Sequence, residues 1–361
     1  MIGEYFVVDA VTHAFDAREV NTKGRYGRLV LESIYQNQWK MASDPYRLSR
    51  GRFFQRMSAE ALASAMFVES ATDIACFHPI PAWGMFEDLS PASVALEIRS
   101  SFPHRMLLYG AVSPLEGAKA IDDLVRQKEE WKIDGLKLYP VDIIDGKSTT
   151  LRLNSERVMY PVLEKCRELG IFTIAVHKSL PVGTAPMDAF RPDDVEYAAD
   201  DFPDLNFEIV HGGYTFLEET AFQLARFDNI YVNLESTIAM IVRRPHQFAR
   251  ILGELLLWGG PERIFWGTGA TPHPAPLIEA FAAFEMPEEL QEGYGYPPLT
   301  EETKTDIFSR NYARVHEIDL DERRAACSDD ELARRRRAGG ATPWGLVEEP
   351  SVADPLALES A

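Results

Sequence analysis

Short apolar runs recur along the chain, and most are followed by a stretch with helical periodicity. The runs cover residues 5–11, 73–77, 105–112, 134–140, 172–177, 206–210, 230–234 and 263–267. Apolar runs of this length, bounded by polar residues, suit strands buried on both faces. Helical patterns cover 58–70, 93–101, 115–130, 156–169, 192–202, 216–226, 237–257, 276–285 and 299–316. Strand, helix, strand implies a parallel sheet with right-handed crossovers. Eight such units in alternation predict an α/β fold, a (β/α)8 TIM barrel spanning residues 1–318. Residues 16–57 are polar and aromatic and read as an insertion after strand one, placed to cover a pocket or a partner surface. Residues 319–361 lose the apolar pattern and read as a C-terminal arm without a core of its own, which a partner subunit would order.

Charge narrows the function. The chain carries 37 Lys and Arg against 56 Asp and Glu, a net charge of −19. That argues against nucleic acid and anionic membranes as partners. The run Arg334 to Arg337 is too local to reverse this. Cys76, Cys166 and Cys327 are widely spaced and form neither a disulfide framework nor a zinc motif, which fits a cytoplasmic setting. No signal-peptide pattern opens the sequence, and no apolar run is long enough to span a membrane.

The candidate chemistry lies where strands end, the face on which barrels of this kind carry their sites. His13, His177 and His211 end strands one, five and six. Lys137 sits inside the apolar strand four, which is costly unless its charge is paired, neutralised or modified. Glu235 ends strand seven, His78 ends strand two, and His273 lies in the loop after strand eight. Lys178, Arg243, Arg244 and Tyr139 are candidates for holding a substrate carboxylate.

The strand-one D-x-x-x-H (Asp9, His13), G-L-K-L-Y-P of strand four, His177, H-G-G from His211, W-G-T of strand eight and the segment IFSRNYARVHEI together resemble the amidohydrolase superfamily. The similarity is to its branch of aminocarboxymuconate-semialdehyde decarboxylase and related decarboxylases and hydrolases. The resemblance implies a metal-dependent enzyme with His13, Lys137, His177 and His211 as metal ligands; by their places at strand ends and in the strand-eight loop, Glu235 is the expected replacement ligand and His78 and His273 are further candidates. His211 and His177 would also be the catalytic acid and base. It implies one or two divalent ions (Fe, Mn or Zn) and a Lys137 open to carbamylation. Two departures stand out. Val11 replaces the first histidine of H-x-H, and Gly269 replaces the strand-eight aspartate that binds metal and takes a proton from water. This pattern of losses is similar to that of a 2-aminoisobutyrate hydroxylase-like system of two homologous subunits. The expectation is therefore a subunit of a non-haem Fe or Mn hydroxylase acting on a small acid or amino acid, in a homo- or hetero-oligomer. The alternatives are a metal-dependent hydrolase or non-oxidative decarboxylase of a small carboxylate, and a non-catalytic partner subunit.

Overall fold

The structure is a computed structural model that describes residues 5–339 and 342–347. Its strands are β1 (Val8–Thr12), β2 (Ile74–Phe77), β3 (Met106–Ala111), β4 (Gly135–Leu138), β5 (Val141–Ile144), β6 (Lys147–Thr150), β7 (Thr173–His177), β8 (Asn206–Val210), β9 (Ile230–Asn233) and β10 (Ile264–Phe265). Eight of them form one parallel sheet in the order β1-β2-β3-β4-β7-β8-β9-β10. The sheet returns on itself: Ala10 N donates to Trp266 O at 2.9 Å and Gly269 N donates to Val11 O at 2.8 Å. This is the TIM barrel the alternation predicts. Burial follows the same logic, since β1, β2, β3, β4 and β7 are buried along their whole length.

The differences from the sequence pattern have local causes. β5 and β6 form an antiparallel hairpin that the sequence reading passed over. Its turn is Asp145-Gly146, with φ of 50° and 73°, the left-handed pair that a tight hairpin needs and that Asp-Gly supplies. The helix expected over 237–257 is two helices, Met240–Arg243 and Pro245–Gly259. Proline disfavours helical backbone in the residue before it, and Arg244 sits at φ −141°. Pro161 breaks nothing, because the helix Tyr160–Glu168 begins beside it and its first turn needs no amide donor there.

The insertion is an ordered cap. The helix Gly24–Met41 buries Val30, Leu31 and Tyr35, and these pack with Phe53, Ile80, Phe86 and Leu89 in a cluster separate from the barrel's main core. The arm has no separate core; it borrows the barrel's. Its helices Leu320–Cys327 and Glu331–Ala338 are capped by the Asp319 and Asp330 side chains. Leu332 joins the main core, and the fully buried Arg105 at the foot of β3 binds Asp330 and the Cys327 carbonyl. An anchor within the chain thus holds the helical part of the arm. Residues 340–341 and 348–361 of the expected arm lie outside the described residues. Among the described residues no helix is long and apolar enough to cross a membrane.

Candidate active site

The C-terminal ends of the barrel strands open into a pocket of about 410 Å³. His13, Lys137, His177, His211 and Glu235 all line it, with Tyr139 and Tyr214 beside them. The cap helix Gly24–Met41 supplies the roof through Ser33, Asn37, Lys40 and Met41. Five of the predicted residues, contributed by five strands, therefore share one cavity.

Inside it, His177, His211 and Glu235 form a connected relay. His177 Nε2 lies 2.8 Å from the Leu180 carbonyl, and His177 Nδ1 lies 3.0 Å from His211 Nε2. His211 Nδ1 lies 3.1 Å from the Glu235 carbonyl and pairs with the Glu235 carboxylate. A carbonyl only accepts, so the two carbonyls assign the outer protons, on His177 Nε2 and His211 Nδ1. His177 carries its proton on Nε2 and accepts at Nδ1. The one proton between the rings is placed on His211 Nε2, because the Glu235 carboxylate lies beside His211 and burial disfavours charge on His177. His211 is then an imidazolium balanced by Glu235, beside a neutral His177. Burial, followed by the His211 and Lys137 charges, pushes His177 well below the usual histidine range. Burial alone would raise the Glu235 carboxyl. The His211 charge and hydrogen bonds outweigh it and hold the group below its ordinary value.

Backbone strain concentrates here. His211, Ser236 and Ala270 follow three neighbouring strand ends with φ of 66°, 57° and 60°. Side-chain-bearing residues rarely adopt this left-handed region, and such strain collects at functional sites. Gly269 has φ of 75°, and a Cβ placed on it would collide with Glu235 Oε1. The Glu235 carboxylate thus occupies the space where any side chain at position 269 would begin. Gly269→Ala is expected to displace Glu235 and cost about 1–3 kcal/mol of stability. Urea unfolding would measure it, and an unchanged midpoint would refute the crowding.

The other predicted residues have different surroundings. His13 Nδ1 faces the His78 carbonyl at 2.8 Å, and burial lowers the ring to about 4. His78 is fully buried outside the pocket, its ring stacked on Tyr109 at 4.3 Å with neither nitrogen hydrogen-bonded. Its backbone, not its ring, reaches the site. His273 caps the helix Pro274–Ala282 through Ala275 N and lies 3.0 Å from Glu69, also away from the pocket. Lys178 is committed to Asp194 at 2.8 Å, and Arg243 donates to the Ala42 carbonyl at 2.9 Å. Arg244 is exposed, while the Tyr139 ring lies 4.2 Å from that of His177. Asp9 accepts from Thr268 and Val11, clasping β1 to the strand-eight end, and burial raises its carboxyl to about 7.

Glu208 was missed. It is fully buried in β8, accepts from Asn233 at 2.5 Å and from Tyr109 at 3.3 Å, and burial raises it to about 7. The register pairs Lys137 with Ala175 and Ala175 with Glu208, so the lysine and the glutamate share one layer of the barrel. The available signal was the one that marked Lys137: a charged residue inside an apolar strand.

The residue types suit a divalent ion, but their positions do not close around one. Two imidazoles and a carboxylate are ordinary ligands for Zn or Mn. Yet both nitrogens of His177 and both of His211 face partners within the chain. Among the described residues no three His, Cys, Asp or Glu side chains gather where they could hold an ion. The structure assigns none of these residues as a metal ligand.

Comparison with known proteins places the chain. The Amidohydro_2 family, described as amidohydrolase, matches residues 8–317. No curated protein matches the sequence. Among solved structures, an uncharacterised TIM-barrel protein from Bordetella bronchiseptica is 15% identical with a TM-score of 0.57, over 90% of this chain and 99% of that one. A 2,6-dihydroxybenzoate decarboxylase from Rhizobium is 15% identical with a TM-score of 0.54, over 87% and 99%. A 5-carboxyvanillate decarboxylase from Novosphingobium aromaticivorans, solved with manganese and 4-hydroxy-3-methoxy-5-nitrobenzoic acid, is 13% identical with a TM-score of 0.56, over 87% and 96%. At these identities the structural likeness speaks to fold. The family match covers most of the sequence, and the chain belongs to the Amidohydro_2 amidohydrolase family.

Proposed function

We propose that this chain is a non-oxidative decarboxylase of a small carboxylate. The observation that carries the reading is the His177–His211–Glu235 relay at the wall of the pocket. Loss of CO2 leaves an electron pair on carbon that must be protonated, and an imidazolium with a fixed counter-charge is a positioned general acid. Hydrolysis would instead need a free base to take a proton from water. Position 269 is glycine, and the Glu235 carboxylate is already engaged by His211 and Ser236. Of the readings drawn from the sequence, the decarboxylase alternative gains support from the two decarboxylases above. The hydroxylase reading draws nothing from them, and a non-catalytic subunit has no use for a strained, convergent site.

Each residue has a task. His211 holds the proton, and its Nε2–H delivers it once substrate replaces the His177 acceptor. Glu235 keeps His211 charged and oriented. Tyr139 and the cap helix Gly24–Met41 close the pocket beside them. The manganese in the 5-carboxyvanillate decarboxylase makes a divalent ion a natural companion of this fold. No step here depends on one, because the donors do not close around it. His211→Asn is expected to lower CO2 release from small carboxylates by about 100-fold or more. The test is turnover of a carboxylate panel followed by CO2 evolution. A variant as active as the parent would sink the reading.

A further inference from the structure

Three lysines are buried: Lys137, Lys178 and Lys304. Lys178 is paired with Asp194 at 2.8 Å, and Lys304 with Glu301 at 2.9 Å. Lys137, 1% exposed, has no hydrogen bond or ion pair among the described residues and lines the pocket. A buried charge normally has a partner. A buried amine without one, facing an open cavity, is the arrangement that makes lysine a nucleophile toward carbonyl groups.

We propose that Lys137 forms an imine with the ketone of a small β-keto acid. The amine supplies the electron sink that the incomplete ligand set does not. The β-keto acid identity rests on the decarboxylase reading; the imine does not.

Burial is the first cause of the amine's low affinity for protons, holding it at about 8 although Glu235 and then Glu208 pull it upward. The chemistry balances without an oxidant or reductant. The Lys137 nitrogen attacks the ketone carbon. The resulting carbinolamine takes a proton and loses water, leaving a protonated imine. The bond to the carboxylate then breaks, CO2 departs, and the electron pair flows into the imine to give an enamine. The enamine carbon takes a proton, and water hydrolyses the imine to release the ketone and restore the amine. In sum, one β-keto carboxylate and one proton give one ketone and one CO2. A Lys137 carbamate would consume the same amine and block this route, so imine and carbamate are mutually exclusive states of one atom.

The test uses the whole chain with acetoacetate and sodium borohydride in CO2-free buffer, followed by digestion and mass spectrometry. The expected result is reduced N-isopropyl-lysine at Lys137, at least about tenfold above the exposed Lys40. That product means the imine formed and CO2 had left. An adduct at Lys137 that keeps its carboxylate supports the imine and overturns the decarboxylase reading. No adduct at Lys137, or one no greater than at Lys40, overturns the imine. If CO2 is still released in that case, the decarboxylase reading stands alone. The parent protein serves throughout, so misfolding of a variant cannot mimic any outcome.

Discussion

Lys137→Met should make the protein more stable at neutral pH while removing the borohydride adduct. The amine titrates at about 8 in the folded chain against 10.5 in a free one. The folded chain therefore bears a penalty at pH 7 that the unfolded chain does not. Methionine is of similar length, unbranched and apolar, so it removes the charge without opening a cavity. The sign depends on pH. Below about 8 the amine is charged in both states, and the folded chain bears the whole penalty. Between about 8 and 10.5 the unfolded chain still holds the proton that the folded chain has released, so the parent gains stability as pH rises. The advantage of the variant should therefore shrink across that window. The groups that sense this amine are Glu235, Glu208, Cys76, His13, His78 and His177. Glu208, already raised to about 7, would move higher without the lysine and remain neutral rather than become an orphan charge. Urea unfolding of both proteins at pH 7 and pH 10 is the measurement. A variant less stable than the parent at pH 7 would show that the buried amine is a structural asset.

The second large effect is expected at the arm. Asp330→Ala should cost about 3–5 kcal/mol, because it strands the buried Arg105 guanidinium. Arg105 donates to Asp330 through Nε at 2.5 Å and Nη2 at 2.9 Å, with the Asp73 and Cys327 carbonyls as its remaining acceptors. Asp330 also caps the helix Glu331–Ala338 by accepting from Ala333 N, so the same change frays that helix. Limited trypsin digestion should then cut within Arg334 to Arg337 before the barrel is attacked. If parent and variant are cut at the same rate, Arg105 is not what holds the arm.

The barrel is legible in the sequence because each strand is a short apolar run and each crossover an independent helical pattern. The strand-end rule then brings His13, His177, His211 and Glu235 into one cavity before any coordinate is known. Three things are not legible. The cap helix Gly24–Met41 buries only a narrow stripe, so its period is faint among its arginines and glutamines. The Asp145-Gly146 hairpin falls between a proline and a run of threonines that hide its strand pattern. The largest gap is rotational. Sequence order places two imidazoles at adjacent strand ends, but not whether their nitrogens turn toward one ion or toward each other. That choice depends on the Leu180 and Glu235 carbonyls, which carry no side-chain signature.

Trp344 ties the two irregular parts of the chain together. Its indole donates to the Tyr46 carbonyl at 2.9 Å, its ring meets His273 edge-on, and its backbone amide donates to Glu69. It belongs to the same apolar cluster as Tyr35 and Phe53 of the cap. The pocket's roof and the arm are therefore one unit of inheritance, although some 300 residues separate them in the sequence. A change of cap that alters Tyr46 or Phe53 leaves Trp344 without a seat unless the arm changes too. Grafting a new cap onto this barrel to redirect its specificity would thus require exchanging both segments together.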